Sequence, residues 1–338
     1  MGIKGLNNFI KSNNPKYEEI LSSEKFRNQS IAIDTNNWIY IQNACARKKV
    51  IEKTDLLTEE VSVKEIRKTV LVGISSFLNL LVKHKIHPVF VFDGVTSDKK
   101  EDTKNKRRES QKKHLQNITQ LKTELTEDIL TINLEKLKKL KLETTNLSSI
   151  SRNDILYYKQ FIECLGFPVI QAESEGEKLC AQLCKEGKVA AVFSTDTDLF
   201  VYGCPISIKK INYDENTLTF VCVRLEVILQ SLDLSYSEFI EFCILCGCDY
   251  NKNIPGIGPV RGLRLIKEYK SIEKLPEKFN TANLNYDICK ELFTKEENTI
   301  HENLLCYREE ITDEEDEFLS NTNHKYLRVL FLESYKKE

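Results

Sequence analysis

Three short apolar runs that each stop at or just before an aspartate constrain this chain more than any other feature. Ser30-Ile31-Ala32-Ile33 leads into Asp34, Pro88 to Phe92 into Asp93, and Val189 to Phe193 comes shortly before Asp196. Runs with no polar alternation read as strands buried on both faces, the habit of parallel sheets. Between them Val70, Ile74, Phe77, Leu78 and Leu81 recur at helical spacing, so strand and helix alternate and the expected class is α/β, a central, mostly parallel sheet flanked by helices. Ligands of such sheets sit outside the carboxyl ends of the strands, where these aspartates fall. One aspartate there is ordinarily a turn or cap residue; three strands repeating it point to an acidic cleft.

Composition narrows the partners. Apolar residues at 41% and charged ones at 30% place the 338 residues among folded globular chains. With 49 basic against 51 acidic residues, any grip on a polyanion must come from local clustering. Lys99 to Lys113 supplies one such cluster, eight basic residues against three acidic, and reads equally as a solvated helix face or as an electrostatic gate for a phosphate chain. The stretch from Asp98 to Arg152 has the pattern of a helical insertion, with Ile118, Leu121, Leu125, Ile129 and Ile132 at helical steps. Eleven scattered cysteines argue against a disulfide framework and for a reducing, intracellular setting. Leu6 stands where a myristoylation signal needs Ser or Thr, and no run approaches the roughly 18 apolar residues of a membrane helix.

Further acids stand in suggestive places. Glu175 and Glu177 open a helix, where Ser174-x-x-Glu177 also fits a capping box. Asp196 and Asp198 lie two apart after a strand, and Asp249 follows the apolar helix Phe239 to Leu245. With Asp34 and Asp93 that makes seven oxygen donors, a set that selects Mg²⁺ or Mn²⁺. So many anions together need counter-charge, which a pair of divalent ions about 3.5 to 4 Å apart supplies in phosphodiester hydrolysis. Zinc at Cys243, Cys246 and Cys248 lacks a second Cys or His pair.

Taken in order, Met1-Gly2-Ile3-Lys4-Gly5-Leu6, Ala32-Ile33-Asp34, Val91-Phe92-Asp93-Gly94, Glu175-Gly176-Glu177, Ser194-Thr195-Asp196-Thr197-Asp198 and Gly247-Cys248-Asp249-Tyr250 resemble the motif set of flap endonuclease and XPG-type 5′ nucleases, from residue 1 to about 270. The resemblance implies a PIN-like 5′ nuclease fold with a helical arch insertion and a helix-two-turn-helix DNA-binding element. In residue ranges it implies a nuclease region in 1–98 and 153–235, the arch in 99–152, the helix-two-turn-helix in 236–275 and helices and loops in 276–338. It places two Mg²⁺ ions, with Mn²⁺ able to substitute, on Asp34, Asp93, Glu175, Glu177, Asp196, Asp198 and Asp249. Lys100 and Arg107 fall on the family's catalytic cations, which decides the basic run in favour of the gate. Implied DNA contacts are Gly2, Tyr40 (stacking on an unpaired base), Arg47, Glu175, Gly247, Asp249, and Gly256, Gly258 and Arg261 in the hairpin Asn253 to Gly262, where a K⁺ ion helps grip the duplex backbone.

The implied partner is DNA with a 5′ flap, nick, end or junction, cut by a monomer in a nuclear or other DNA-replicating compartment. The pattern departs from the family in a long Asp93–Glu175 interval, in Phe77 where flap endonucleases place a phosphate-contacting arginine, and in lacking a Gln-x-x-Leu-x-x-Phe-Phe clamp motif. Cys243 to Asp249 and Phe92 to Thr96 lean toward the 5′-exonuclease branch. Flap cutting and end resection both stay open, and the competing readings are a PIN-type ribonuclease and an inactive junction-binding scaffold.

Overall fold

The computed structural model describes residues 2–94, 101–127, 133–147, 150–298 and 306–336, with the backbone alone for 101–107, 127, 283, 335 and 336. The chain forms two compact units, each assembled from separated stretches.

The first unit comprises Met1–Asn37, Leu81–Lys99 and Phe167–Arg308 and is built on one seven-stranded sheet. Its strands are β1 (Glu18–Ser22), β2 (Gln29–Asp34), β3 (Ile86–Phe92), β4 (Val169–Gln171), β5 (Ala191–Phe193), β6 (Ile206–Asp214) and β7 (Thr217–Arg224), in the order β1-β7-β6-β5-β2-β3-β4. From β6 through β4 all neighbours are parallel, while β7 pairs antiparallel with both β6 and β1. The expected strands are therefore the centre of the sheet. Ile31, Ala32, Ile33, Val89, Phe90, Val91, Ala191 and Val192 are completely buried, each large side chain contributing roughly 1.5–3 kcal/mol of burial.

The remaining elements of this unit are α1 (Leu6–Asn13), α7 (Gly176–Lys185), the single turn α8 (Asp198–Val201), α9 (Leu225–Leu232), α10 (Tyr236–Cys246), α11 (Pro259–Tyr269) and α12 (Tyr286–Thr294). A capping box between Ser235 and Glu238 starts α10. Gly247, at φ +93°, ends it and lets the chain turn sharply into Cys248-Asp249. The carbonyl of Gly247 accepts from the Lys4 amide at 2.9 Å, tying the chain start to this turn. Pro259 opens α11, where its missing N–H costs nothing.

The second unit, Trp38–Leu80, Lys100–Gly166 and Glu309–Glu338, is helical. It holds most of α2 (Thr35–Lys53) and α3 (Val63–Lys83), then α4 (Glu101–Glu127), α5 (Leu134–Asn146), α6 (Arg152–Cys164), α13 (Asp313–Asn321) and α14 (Lys325–Lys336). The expected helical insertion is α4 and α5. Ile118, Leu121 and Leu125 pack with Leu140, Ile51 and Leu56 in a small core; Ile129 and Ile132 lie outside the described residues. His114 and Glu143 pair at 2.6 Å across α4 and α5. Phe77 packs against Trp38, the rings tilted by 40° with centroids 4.6 Å apart. Among the described residues no helix is long and apolar enough to cross a membrane.

Candidate active site

Strand order explains why the acids meet. β5, β2 and β3 are adjacent and parallel, so Asp34 at the end of β2, Asp93 after β3 and Asp196 after β5 emerge at one edge. The short β4 follows beside β3, and its loop delivers Glu175 and Glu177 to the start of α7. Asp198 begins α8.

Four of the seven expected acids are buried, and Asp93, Glu177 and Asp249 are partly exposed. Asp34, Glu175, Asp196 and Asp198 are each less than a tenth exposed. Burial, with Asp93 and Asp196 nearby, pushes the Asp34 carboxyl up to about 6, against the pull of a 2.6 Å hydrogen bond from the Ser194 hydroxyl. Glu177 is raised well above the ordinary carboxylate range by burial and then by Asp196, Asp34, Asp198 and Glu175. Between them Asp34 and Glu177 feel the charges of Asp93, Glu175, Asp196 and Asp198. Asp249 is not among the charges that bear most on Glu177; its link to the group is the next residue, Tyr250, whose hydroxyl bonds Glu175.

Several side chains hold the cluster that sequence reasoning had not singled out. Ser194 Oγ donates to Asp34 and accepts from the Asp196 amide at 3.0 Å, and Asn37 Nδ2 reaches it at 3.3 Å. Asp196 Oδ1 accepts from the Asp198 amide at 3.1 Å, fixing the turn between the two acids. Lys209 on β6 donates to the Asp196 carbonyl at 2.9 Å, and burial pulls its ammonium down to about 8. Ser194 was visible inside its motif, but nothing local marked Lys209. Gly2, at φ +98°, lies so close that a Cβ there would press on Asp196, on Thr197 Oγ1 at 2.5 Å and on Asp198 Oδ1 at 3.0 Å. Gly94 leaves no room either, since a Cβ would overlap the carbonyls of Ala172 and Glu173.

The Ser174–Glu177 capping box does not form. Glu175 occupies the cap position of α7, without a side-chain cap bond. Ser174 Oγ donates instead to Glu297 at 2.7 Å, and the Gly176 amide donates to Asp93 Oδ1 at 2.8 Å. A carboxylate at a helix start is favourable for the same electrostatic reason a capping box is, so one pattern in sequence served another partner in space.

Tyr40 is exposed on α2, and Arg47 donates Nε to the Thr144 carbonyl at 3.0 Å. Gly256 takes φ +75°, and a Cβ on Gly258 would meet nothing within 4 Å, leaving that hairpin backbone open. Arg261 lies over the Phe279 ring at 5.6 Å. Lys100 and the Arg107 side chain lie outside the described residues. All eleven cysteines are free thiols, nine of them buried.

Donor chemistry fits hard cations: every clustered acid is a carboxylate, and burial followed by repulsion from its neighbours is what raises Asp34 and Glu177. Among the described residues no three acids close tightly enough on one point to be a ready-made cage.

An α/β sheet that gathers carboxylates at the ends of adjacent parallel strands has the donor type that a hard cation would take. The XPG N-terminal domain matches residues 1–114 and the XPG I-region residues 166–249. The chain is 33% identical over 282 residues to flap endonuclease 1 of Glycine max, covering 83% of this chain and 69% of that protein. With flap endonuclease 1 of Cryptosporidium muris it shares 32% over 309 residues, 87% of this chain and 62% of the relative. The chain spans about 60% of the length of the two Cryptosporidium relatives it matches. Its fold is that of flap endonuclease-1 from Methanococcus jannaschii, TM-score 0.60 at 22% identity over 95% of this chain and 96% of that one. This chain belongs to the flap endonuclease and XPG-type nuclease family.

Proposed function

We propose that the chain is a structure-specific 5′ nuclease that hydrolyses DNA phosphodiesters near 5′ flaps, ends or junctions, with the buried carboxylates as its active site. The observation that carries this is the gathering of Asp34, Asp93, Glu175, Glu177, Asp196 and Asp198 at one end of the sheet, four of them buried, in a chain of this family. Two Mg²⁺ ions, or Mn²⁺, held there with Asp249 would supply an activated water and offset charge on the leaving oxygen.

The chain's own part is preorganisation. Ser194 and Asn37 orient Asp34, the Asp196–Asp198 turn holds both its acids, Lys209 ties down the Asp196 carbonyl, and the Tyr250 hydroxyl bonds Glu175. By the family resemblance Lys100 and Arg107 grip the scissile phosphate and Tyr40 stacks on an unpaired base. Arg47 and Gly2 belong to the DNA path by the same resemblance. The open backbone at Gly256 and Gly258, followed by the α11 helix start, suits a phosphate contact without base reading, with K⁺ as the bridging ion. The proposed setting is a nucleus or another DNA-replicating compartment.

The test uses 5′-labelled flap, nicked and blunt duplexes with Mg²⁺ and with EDTA. Cleavage near the junction or end in Mg²⁺ alone is the expected result. Tight junction binding without cleavage in Mg²⁺ or Mn²⁺ would instead establish the inactive scaffold, and a preference for RNA the ribonuclease.

A further inference from the structure

The loop from β4 to α7 carries Glu175 and Glu177, and it is gripped from two sides. On one side the Gly94 amide donates to the Ser174 carbonyl at 2.7 Å, and Asp93 receives the Gly176 amide. On the other stands Glu297, 123 residues beyond Ser174. Its carboxylate accepts from the Glu173 amide at 3.1 Å, the Ser174 amide at 3.3 Å and the Ser174 hydroxyl at 2.7 Å. Its backbone is locked in turn by the buried amide of Gln182 on α7. The Glu297 N–H donates to Gln182 Oε1 at 2.8 Å, and Gln182 Nε2 donates to the Glu297 carbonyl at 3.1 Å. Asn298 Nδ2 adds a bond to Glu173 Oε1.

We propose that Glu297 is a positioning residue for Glu175 and Glu177, setting the reach of both carboxylates through the backbone of residues 173 and 174. Both ends of the clasp fall on α7 and the loop feeding it, so a shift of Glu297 moves the helix start as a unit. A carboxylate is suited to the task because it accepts all three donors at once. Partners one step behind metal ligands tune affinity through geometry, and their loss commonly costs 10- to 100-fold. The proposal rests on the two-ion reading of the cluster.

The test measures Mn²⁺ binding to the full chain by the electron paramagnetic resonance of free Mn²⁺, and single-turnover flap cleavage against Mg²⁺ concentration. Glu297→Ala is expected to raise both the Mn²⁺ dissociation constant and the half-saturating Mg²⁺ by about 10- to 100-fold, with the rate largely restored at saturating Mg²⁺. Glu297→Gln, which keeps an acceptor oxygen, should fall between. Glu296→Gln is the control, because that carboxylate pairs with Lys185 at 3.2 Å and is two-thirds exposed; it should match wild type. A folded Glu297→Ala with unchanged metal dependence, even at a lower melting temperature, overturns the proposal and leaves Glu297 a plain structural brace. Should that variant not fold, Glu297→Gln and Ser174→Ala decide, and unchanged metal affinity in both overturns it. A wild-type chain that neither binds Mn²⁺ nor cuts removes the two-ion reading and this proposal together. A wild type that does both, with unaltered Glu297 variants, removes this proposal alone.

Discussion

Asp196→Asn is expected to slow cleavage by roughly 10³-fold or more, since several kcal/mol of transition-state stabilisation depend on a charged ligand set. Asparagine is the informative replacement. Its amide oxygen can still accept from the Asp198 amide, as Asp196 Oδ1 does at 3.1 Å, so the turn survives and only the charge is lost. Flap binding should hold or tighten, because an anion leaves the path of the phosphates.

Stability gives a second readout. Asp196 is among the charges that raise Asp34 and Glu177. An acid raised in the folded state contributes stability that is fully present below its unfolded value and lost as pH rises through the folded one. For Asp34 that window runs from 3.8 to about 6. Above it Asp34 is charged beside Asp93 and Asp196 in the metal-free wild type, so in EDTA near neutral pH Asp196→Asn should melt higher than wild type, and the gap should narrow as pH falls through the window. Wild-type cleavage by this variant contradicts the site assignment. A lower melting temperature at every pH contradicts the electrostatic account of the cluster.

The next largest effect is expected at Arg107. Arg107 lies within α4, which is helical from Glu101 to Glu127, so its neighbours along the chain are turned to other faces of the helix. One preorganised cation is worth roughly 10² to 10³ in rate, so Arg107→Ala should lose that much single-turnover rate while binding changes little. Arg108 is exposed and about a quarter-turn round the helix. Arg108→Ala should therefore leave the rate near wild type. Equal losses at both positions would make the run a general phosphate-attracting surface.

Much of the site was legible because parallel strands advertise themselves. Asp34, Asp93 and Asp196 each followed an uninterrupted apolar run, and adjacency of β5, β2 and β3 then brought them together. Strands β1, β4, β6 and β7 escaped for different reasons. β4 is only three residues long, and β6 carries Lys209, Lys210 and Asn212 among its apolar residues. β7 did hold a period-two signal in its buried Leu218, Phe220 and Cys222. What no local pattern could reveal is the support. Ser194 meets Asp34 across 160 residues and Glu297 meets Ser174 across 123, and such pairings are set by topology. The false capping box has the same origin, since Ser-x-x-Glu names a local partner and the fold supplied a distant one. Lys100 and Arg107 rest on family resemblance.

The two-ion site itself is tested most directly by anomalous scattering from crystals of the wild-type chain soaked in Mn²⁺. Two peaks about 3.5 to 4 Å apart, contacted by carboxylates from among Asp34, Asp93, Glu175, Glu177, Asp196, Asp198 and Asp249, are the expected result. Ions bound only elsewhere, or no ion among these acids at saturating Mn²⁺, would contradict it.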